Sequence, residues 1–164
     1  MLHYLIDLIF DTAWFFLPAL LANGAPVLGA KILSQNKIFR KFYTPISVSL
    51  FGKNKTYGGW LLGILTAVLV VLIQDRLILI GLIMGIGTMA GDSIKSFFKR
   101  RAKIKEGKYI FWDTIDWYLG VLLLLLITNT LPDKEIIITS IFICPIIVAL
   151  VNFISFKVKV KRSL

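Results

Sequence analysis

Three stretches of this 164-residue chain carry residue types and spacings suited to chemistry. The first is Gly91-Asp92-Ser93-Ile94-Lys95-Ser96-Phe97-Phe98-Lys99-Arg100-Arg101. On a helix, Asp92, Lys95, Ser96 and Lys99 fall on one face by the three-and-four spacing. Asp92 directly follows an apolar run, where a carboxylate is costly unless it is paired or holds a cation. The second is Asp113-Thr114-Ile115-Asp116. Two carboxylates three apart on a helix have Cβ atoms about 5–6 Å apart and repel unless something positive lies between them. A helix N-terminus offsets part of that repulsion, so a charged cap is the plain alternative. The other reading is a site for a hard divalent cation. Oxygen ligands without imidazole or thiolate favour Mg²⁺ or Mn²⁺ over zinc. The third is Phe51-Gly52-Lys53-Asn54-Lys55-Thr56-Tyr57-Gly58-Gly59, which sets two lysines, an amide and a hydroxyl beside a flexible glycine pair. Such a group can hold phosphate oxygens by point charges and backbone N–H groups, or it can be an ordinary basic flank.

The rest of the composition narrows the chemistry. The one histidine, His3, lies near the N-terminus, so neither a His-x-x-x-His zinc motif nor a Ser-His-Asp triad is available. The one cysteine, Cys144, lies in an apolar run and forms neither an internal disulfide nor a thiolate metal cluster. Reactivity must rest on carboxylates, lysines, arginines, hydroxyls and backbone.

The elements that position these residues are membrane helices. Hydrophobic residues make up 57% of the chain, charged residues 17%, and the mean hydropathy is +0.82. A soluble domain carries about 25% charged residues. Five stretches are apolar enough to span: about Tyr4–Ala22, Tyr57–Ile73, Leu77–Ala90, Ile115–Leu131 and Ile136–Phe156. The third is expected to continue as a helix through Gly91 and Asp92 into the basic segment beyond. The expected fold is therefore all-α, a single domain over residues 1–164 with five transmembrane helices.

Charge sets the orientation. Of the 19 cations, all but Arg76 and Lys134 lie in the loop from Lys31 to Lys55, the loop from Lys95 to Lys108, or the tail from Lys157. By the positive-inside rule those regions are cytoplasmic, which puts the N-terminus outside and the C-terminus inside. Of the nine acidic residues, only Asp92, Glu106, Asp113 and Asp116 then share the basic side. With no Lys or Arg before Lys31, the N-terminus reads as a retained span rather than a cleaved signal. Asn23-Gly24-Ala25-Pro26 is expected to break the first helix, leaving Val27–Leu33 to lie at the interface or dip in and return. Glycines four apart (Gly59 and Gly63, Gly81 and Gly85, Gly87 and Gly91) let helix backbones approach closely, within the chain or in a homodimer. The net charge of +10 suits anionic lipid or phosphorylated small molecules. Apolar spans between the basic blocks argue against nucleic acid.

In order along most of the chain, these motifs resemble those of the CDP-archaeol synthase family, archaeal relatives of phosphatidate cytidylyltransferase. Asn23-Gly24-Ala25-Pro26 resembles an early Asn-x-x-Pro element. Phe51–Gly59 resembles a Phe-Gly-x-Asn-Lys-Thr-(Trp/Tyr)-x-Gly stretch. Gly87–Arg101, with Glu106-Gly107 after it, resembles a Gly-x-x-x-Gly-Asp-x-x-x-Ser-Phe-x-Lys-Arg-Arg block. Asp113-Thr114-Ile115-Asp116 matches an Asp-x-x-Asp, and Pro145 with Asn152 resembles a final Pro…Asn pair. The resemblance implies CTP-dependent cytidylyl transfer to a membrane lipid phosphate, of archaeol type or phosphatidic acid, with release of pyrophosphate. It implies that Asp92, Asp113 and Asp116 hold Mg²⁺ and act with Lys55 in catalysis. Asn23, Lys53, Asn54, Thr56, Ser93, Lys95, Ser96, Lys99, Arg100 and Arg101 would contact substrates.

Two other functions compete. A CDP-alcohol phosphotransferase would follow its Asp-x-x-Asp with Gly-x-x-Ala-Arg, but Trp117 follows Asp116. A non-catalytic scaffold or transporter predicts charged residues lining a path inside the spans, and their central parts carry almost none.

Overall fold

The computed structural model describes residues 1–33, 36–105, 108 and 110–157. Glu106-Gly107, Lys159, Lys161 and Arg162 lie outside the described residues. Among the described residues seven α-helices follow in order: α1 (Leu2–Ile32), α2 (Lys37–Arg40), α3 (Val48–Phe51), α4 (Tyr57–Ile73), α5 (Ile78–Arg101), α6 (Asp116–Ile127) and α7 (Lys134–Lys157). A short 3-10 turn, Phe111–Thr114, precedes α6. Among the described residues there is no strand.

Among the described residues three helices are long and apolar enough to cross a bilayer: Leu2–Ile32, Ile78–Arg101 and Lys134–Ser155. The apolar helices α4 and α6 have 17 and 12 residues. At 1.5 Å per residue α6 is about 18 Å long, short of a hydrocarbon core of about 30 Å. Large apolar side chains face outward along α4 (Leu61, Leu65, Leu69), α6 (Leu119, Leu123, Leu126) and α7 (Ile138, Ile141, Phe142). In water these faces would aggregate; in lipid they are at no disadvantage.

The central helix is α5, packed against α4, α6 and α1. Small residues make this possible. A Cβ on Gly81 or Gly85 would lie 2.7–2.8 Å from the backbone of Val68 or Ile64 in α4. One on Gly87 would lie 2.8 Å from the Cα of Val121 in α6. The glycine spacing is thus taken up inside the chain. The buried core gathers Phe16 and Ala19 of α1, Ile83 and Met84 of α5, Trp117, Tyr118, Val121 and Leu125 of α6, and Cys144 and Val148 of α7. Its polar members are satisfied: the Tyr118 hydroxyl and Ser140 Oγ lie 2.6 Å apart, and the Trp117 indole donates to the Thr114 carbonyl.

Two sequence expectations fail. Asn23-Gly24-Ala25-Pro26 does not break the first helix, and Val27–Leu33 is not a separate interfacial piece: α1 runs 31 residues through both. Proline is tolerated in a membrane helix when neighbours take over the backbone groups it frees. At Pro18 this is visible: proline has no N–H for the Trp14 carbonyl, and the Gln74 side-chain amide donates to that oxygen at 2.6 Å. Pro26 packs beside Gly59 of α4, so the interhelical contact holds α1 helical there. The expectation that the third span continues through Asp92 into the basic segment is met by α5, which ends at Arg101.

Candidate functional site

Three segments bring charge to one place. The helix α5 supplies Asp92, Lys95 and Lys99, one turn apart on a single face. It overshoots the start of α6 by about two and a half turns, and the chain must return to begin α6 beside it. Gly91 allows this: a Cβ there would run into the Asp116 carbonyl, so α6 starts directly against α5. The second segment is that return. The 3-10 turn presents Asp113, and Ile115 (φ −120°, ψ −10°) separates it from the first residue of α6, Asp116. Asp113 and Asp116 therefore do not share a helix face, as the spacing suggested. One sits in a turn and one at a helix start.

The third segment is the loop before α4. Thr44–Ile46 pairs antiparallel with Lys55–Tyr57 through Ile46 N–H to the Lys55 carbonyl (2.8 Å) and Tyr57 N–H to the Thr44 carbonyl (3.2 Å). Gly52 turns the chain between them at φ +86°, a region other residues rarely adopt. Thr56 caps α4 by accepting from the Gly59 N–H at 3.1 Å. These constraints swing the Lys55 ammonium onto Asp92, with which it pairs.

The centre of the arrangement is Lys95. Its Nζ lies 3.0 Å from Asp92 Oδ1, 2.8 Å from Asp113 Oδ1 and 2.8 Å from Asp116 Oδ2. Lys99 Nζ bridges Asp113, at 3.1 Å from Oδ2, and the Lys108 carbonyl, at 2.5 Å. Three carboxylates and three ammonium groups alternate, and every side chain is at least four-fifths buried. Burial works against a charged Asp113. The hydrogen bond and charge of Lys95, the Ile110 N–H (2.7 Å to Oδ2) and Lys99 outweigh it and hold this carboxyl below its ordinary value.

The other expected substrate residues are placed differently. Ser93 accepts from the Trp60 indole N–H at 3.0 Å, locking α5 to α4. Ser96 donates to the Asp92 carbonyl one turn back in its own helix. Lys53 and Asn54 are exposed at the loop tip. Arg100 is half-buried, and Arg101 is exposed with its guanidinium 5.1 Å from the Phe97 ring centroid. Asn23 sits half-buried in α1 one turn before Pro26, and among the described residues no hydrogen bond or ion pair joins it to the carboxylates. Sequence reasoning missed Trp60, the Lys108 carbonyl and the Ile110 N–H. A tryptophan and two backbone groups carry no spacing signal.

The family model described as CarS-like, CDP-archaeol synthase, matches residues 5–163. The chain belongs to the CDP-archaeol synthase family. Among curated proteins, the CDP-archaeol synthase of Thermofilum pendens is 31% identical over 156 residues, covering 88% of this chain and 76% of that protein. The CDP-archaeol synthase of Methanocaldococcus jannaschii is 29% identical over 182 residues, covering 94% and 96%. A solved structure of an intramembrane enzyme for archaeal membrane lipids biosynthesis superposes with a TM-score of 0.67 at 23% identity, over 90% of this chain and 93% of that one. The likeness to that structure is one of fold.

For a member of the CDP-archaeol synthase family, the donor set around Lys95 bears on a divalent cation. Among the described residues, no three acidic, histidine or cysteine side chains converge on one point as metal ligands do. They converge instead on an ammonium, which occupies the centre a cation would take. The donor chemistry still fits a hard ion: three carboxylates, with no nitrogen or sulfur ligand. Asp116 is buried; its Oδ2 takes the Lys95 ammonium at 2.8 Å, and Oδ1 has no hydrogen-bond partner among the described residues.

Proposed function

We propose that this protein is a CTP-dependent cytidylyltransferase that converts a membrane lipid phosphate of archaeol type to its CDP-activated form and releases pyrophosphate. Family membership supports the activity. The observation that carries the site is the gathering of Asp92, Asp113 and Asp116 around the single ammonium of Lys95. A lipid phosphate oxygen attacks the α-phosphorus of CTP, and the bond to the pyrophosphate oxygen breaks. The attacking group is already an anion, so no histidine base is needed. Such transfers depend on positioning and charge stabilisation more than on covalent catalysis.

The residues divide accordingly. Asp92, Asp113 and Asp116 would hold Mg²⁺, or Mn²⁺ in its place, which when bound neutralises phosphate charge and polarises the reacting oxygens. Lys55, Lys95 and Lys99, now paired with carboxylates, exchange those partners for phosphate oxygens. Lys53, Arg100 and Arg101 extend the positive surface around them. Opposite charges in equal number stabilise the cluster, and its lysines are in place to meet substrate.

The domain occupies residues 1–164, and its five apolar helices all cross. The shorter α4 and α6 do so with the help of adjoining turns and local thinning of the bilayer. The basic loops and the site face the cytoplasm, with the N-terminus outside.

The test is an assay of purified protein in detergent with CTP and a panel of ether-linked and ester-linked lipid phosphates. CDP-lipid should form only with divalent cation, and chelation should abolish it. Asp113→Asn and Asp116→Asn should each lower kcat by about 10²-fold or more, the scale for losing a group that acts on developing charge. Turnover at the unmodified rate in both variants would remove these residues from the site.

A further inference from the structure

We infer that the groove between α1 and α4 holds one hydrocarbon chain of the phosphorylated lipid, with the Tyr43 hydroxyl meeting the lipid's polar end. This rests on the activity proposed above and assigns it a second, apolar subsite.

The cavity has a volume of about 450 Å³, within the range of ligand sites. Leu21, Gly24, Leu28 and Ile32 line it along one face of α1, and Leu62 and Thr66 line it along α4. The face is apolar: Thr66 turns its hydroxyl to the Leu62 carbonyl at 2.7 Å. Gly24 makes the depression. A Cβ built there meets no atom within 4 Å, whereas most of the other glycines touch a neighbouring helix or loop. Elsewhere on the lipid-facing surface, leucines and isoleucines fill the corresponding positions.

The inner end of the groove ties it to the substrate rather than to bulk lipid. Gly29 lines it there, and the Tyr43 hydroxyl, just behind that lining, packs against Gly29, buried and without a hydrogen-bond partner among the described residues. A desolvated hydroxyl without a partner is costly, so it marks a place where a polar group is expected. Burial raises the Tyr43 pKa, which keeps the phenol protonated as a donor. The next residue, Thr44, accepts from the Tyr57 N–H, two residues from Lys55. A lipid with its chain along Gly24 and its oxygens at Tyr43 therefore carries its phosphate toward Lys55 and the carboxylate cluster. A bulk neutral lipid has the chain but no reason to end there.

The test uses a lipid phosphate with a photoactivatable diazirine midway along one chain, crosslinked to the full-length protein in detergent without nucleotide. Label should map by mass spectrometry to α1 and α4 peptides. Excess unlabelled lipid phosphate should compete better than the same lipid lacking phosphate. Gly24→Leu, which fills open space, should reduce labelling and raise the KM for long-chain lipid phosphate by at least about tenfold, the scale for shape changes in apolar pockets. The KM for CTP should not change. Tyr43→Phe should weaken competition by the phosphate lipid without moving the labelled site, and Leu28→Trp gives a second block if Gly24→Leu folds poorly. Label on α6 or α7, equal competition by the phosphate-free lipid, or an unchanged KM in both blocking variants would overturn the assignment. Because crosslinking needs no turnover, correct labelling without CDP-lipid formation would sink the activity and leave the groove standing.

Discussion

At the level of single residues, Lys95 decides how the site behaves. It is the shared partner of three carboxylates, so removing it leaves like charges facing one another in a mostly buried place. Breaking such a buried arrangement costs about 3–5 kcal/mol. Lys95→Met should therefore lower the apparent Tm in detergent and abolish turnover. Lys95→Arg should keep part of the stability and little activity, because a planar fork does not reproduce a point charge at three oxygens. Asp113 gives a pH signature. Its folded pKa lies below its ordinary value, so its stabilising contribution is complete above about pH 4 and fades as pH falls through the folded value. Asp113→Asn lacks that contribution at every pH. The Tm gap between the two proteins should be widest near neutrality and shrink in acid.

At the level of elements, three junctions set the cluster. The register of α6 against α5 depends on Gly91. Adding a methyl there drives the Asp116 carbonyl away and moves the first residue of α6. Gly91→Ala should cost about 1–3 kcal/mol, as overpacking does, and should lower kcat more than it raises the KM for CTP. The loop before α4 depends on Gly52, whose φ of +86° strains any side chain. Gly52→Ala should cost about 1 kcal/mol and weaken activity through Lys55, with α5 and α6 unmoved. The third junction lies at the opposite end of these helices. Gln74 and Arg76 donate to the Trp14 and Phe15 carbonyls of α1, where Pro18 withholds a backbone donor. That latch ties the end of α4 and the start of α5 to α1, away from the end that carries the carboxylates.

At the level of the whole molecule, the distribution of charge against depth carries the topology. The basic segments lie at the ends of α1, α5 and α7, whereas the turn between α4 and α5 holds only the cation Arg76 and the opposite end of α7 begins with the single cation Lys134. In a Cys144→Ala background, Lys103→Cys should react with a membrane-impermeant maleimide only from the cytoplasmic side, and Asp133→Cys only from outside. The reverse pattern would place the site on the wrong face for CTP. Cys144 is buried in the core and should not label in the intact protein.

The sequence by itself determined the membrane class, the helical content, the run of α5 through Asp92 and the company of acids and cations. Composition and periodicity act locally, and each of these is a local property. What it could not determine were relations between segments distant along the chain. Whether Asn23–Pro26 breaks a helix depends on what packs against it, and Gly59 of α4 does. Whether Asp113 and Asp116 share a helix face depends on where the chain resumes its helix, and Ile115 puts one in the turn and the other in α6. That three carboxylates gather on one ammonium depends on the packing of α5 against α6, with its close approach at Gly87 and Gly91. Only the tertiary structure put Lys95 at the centre.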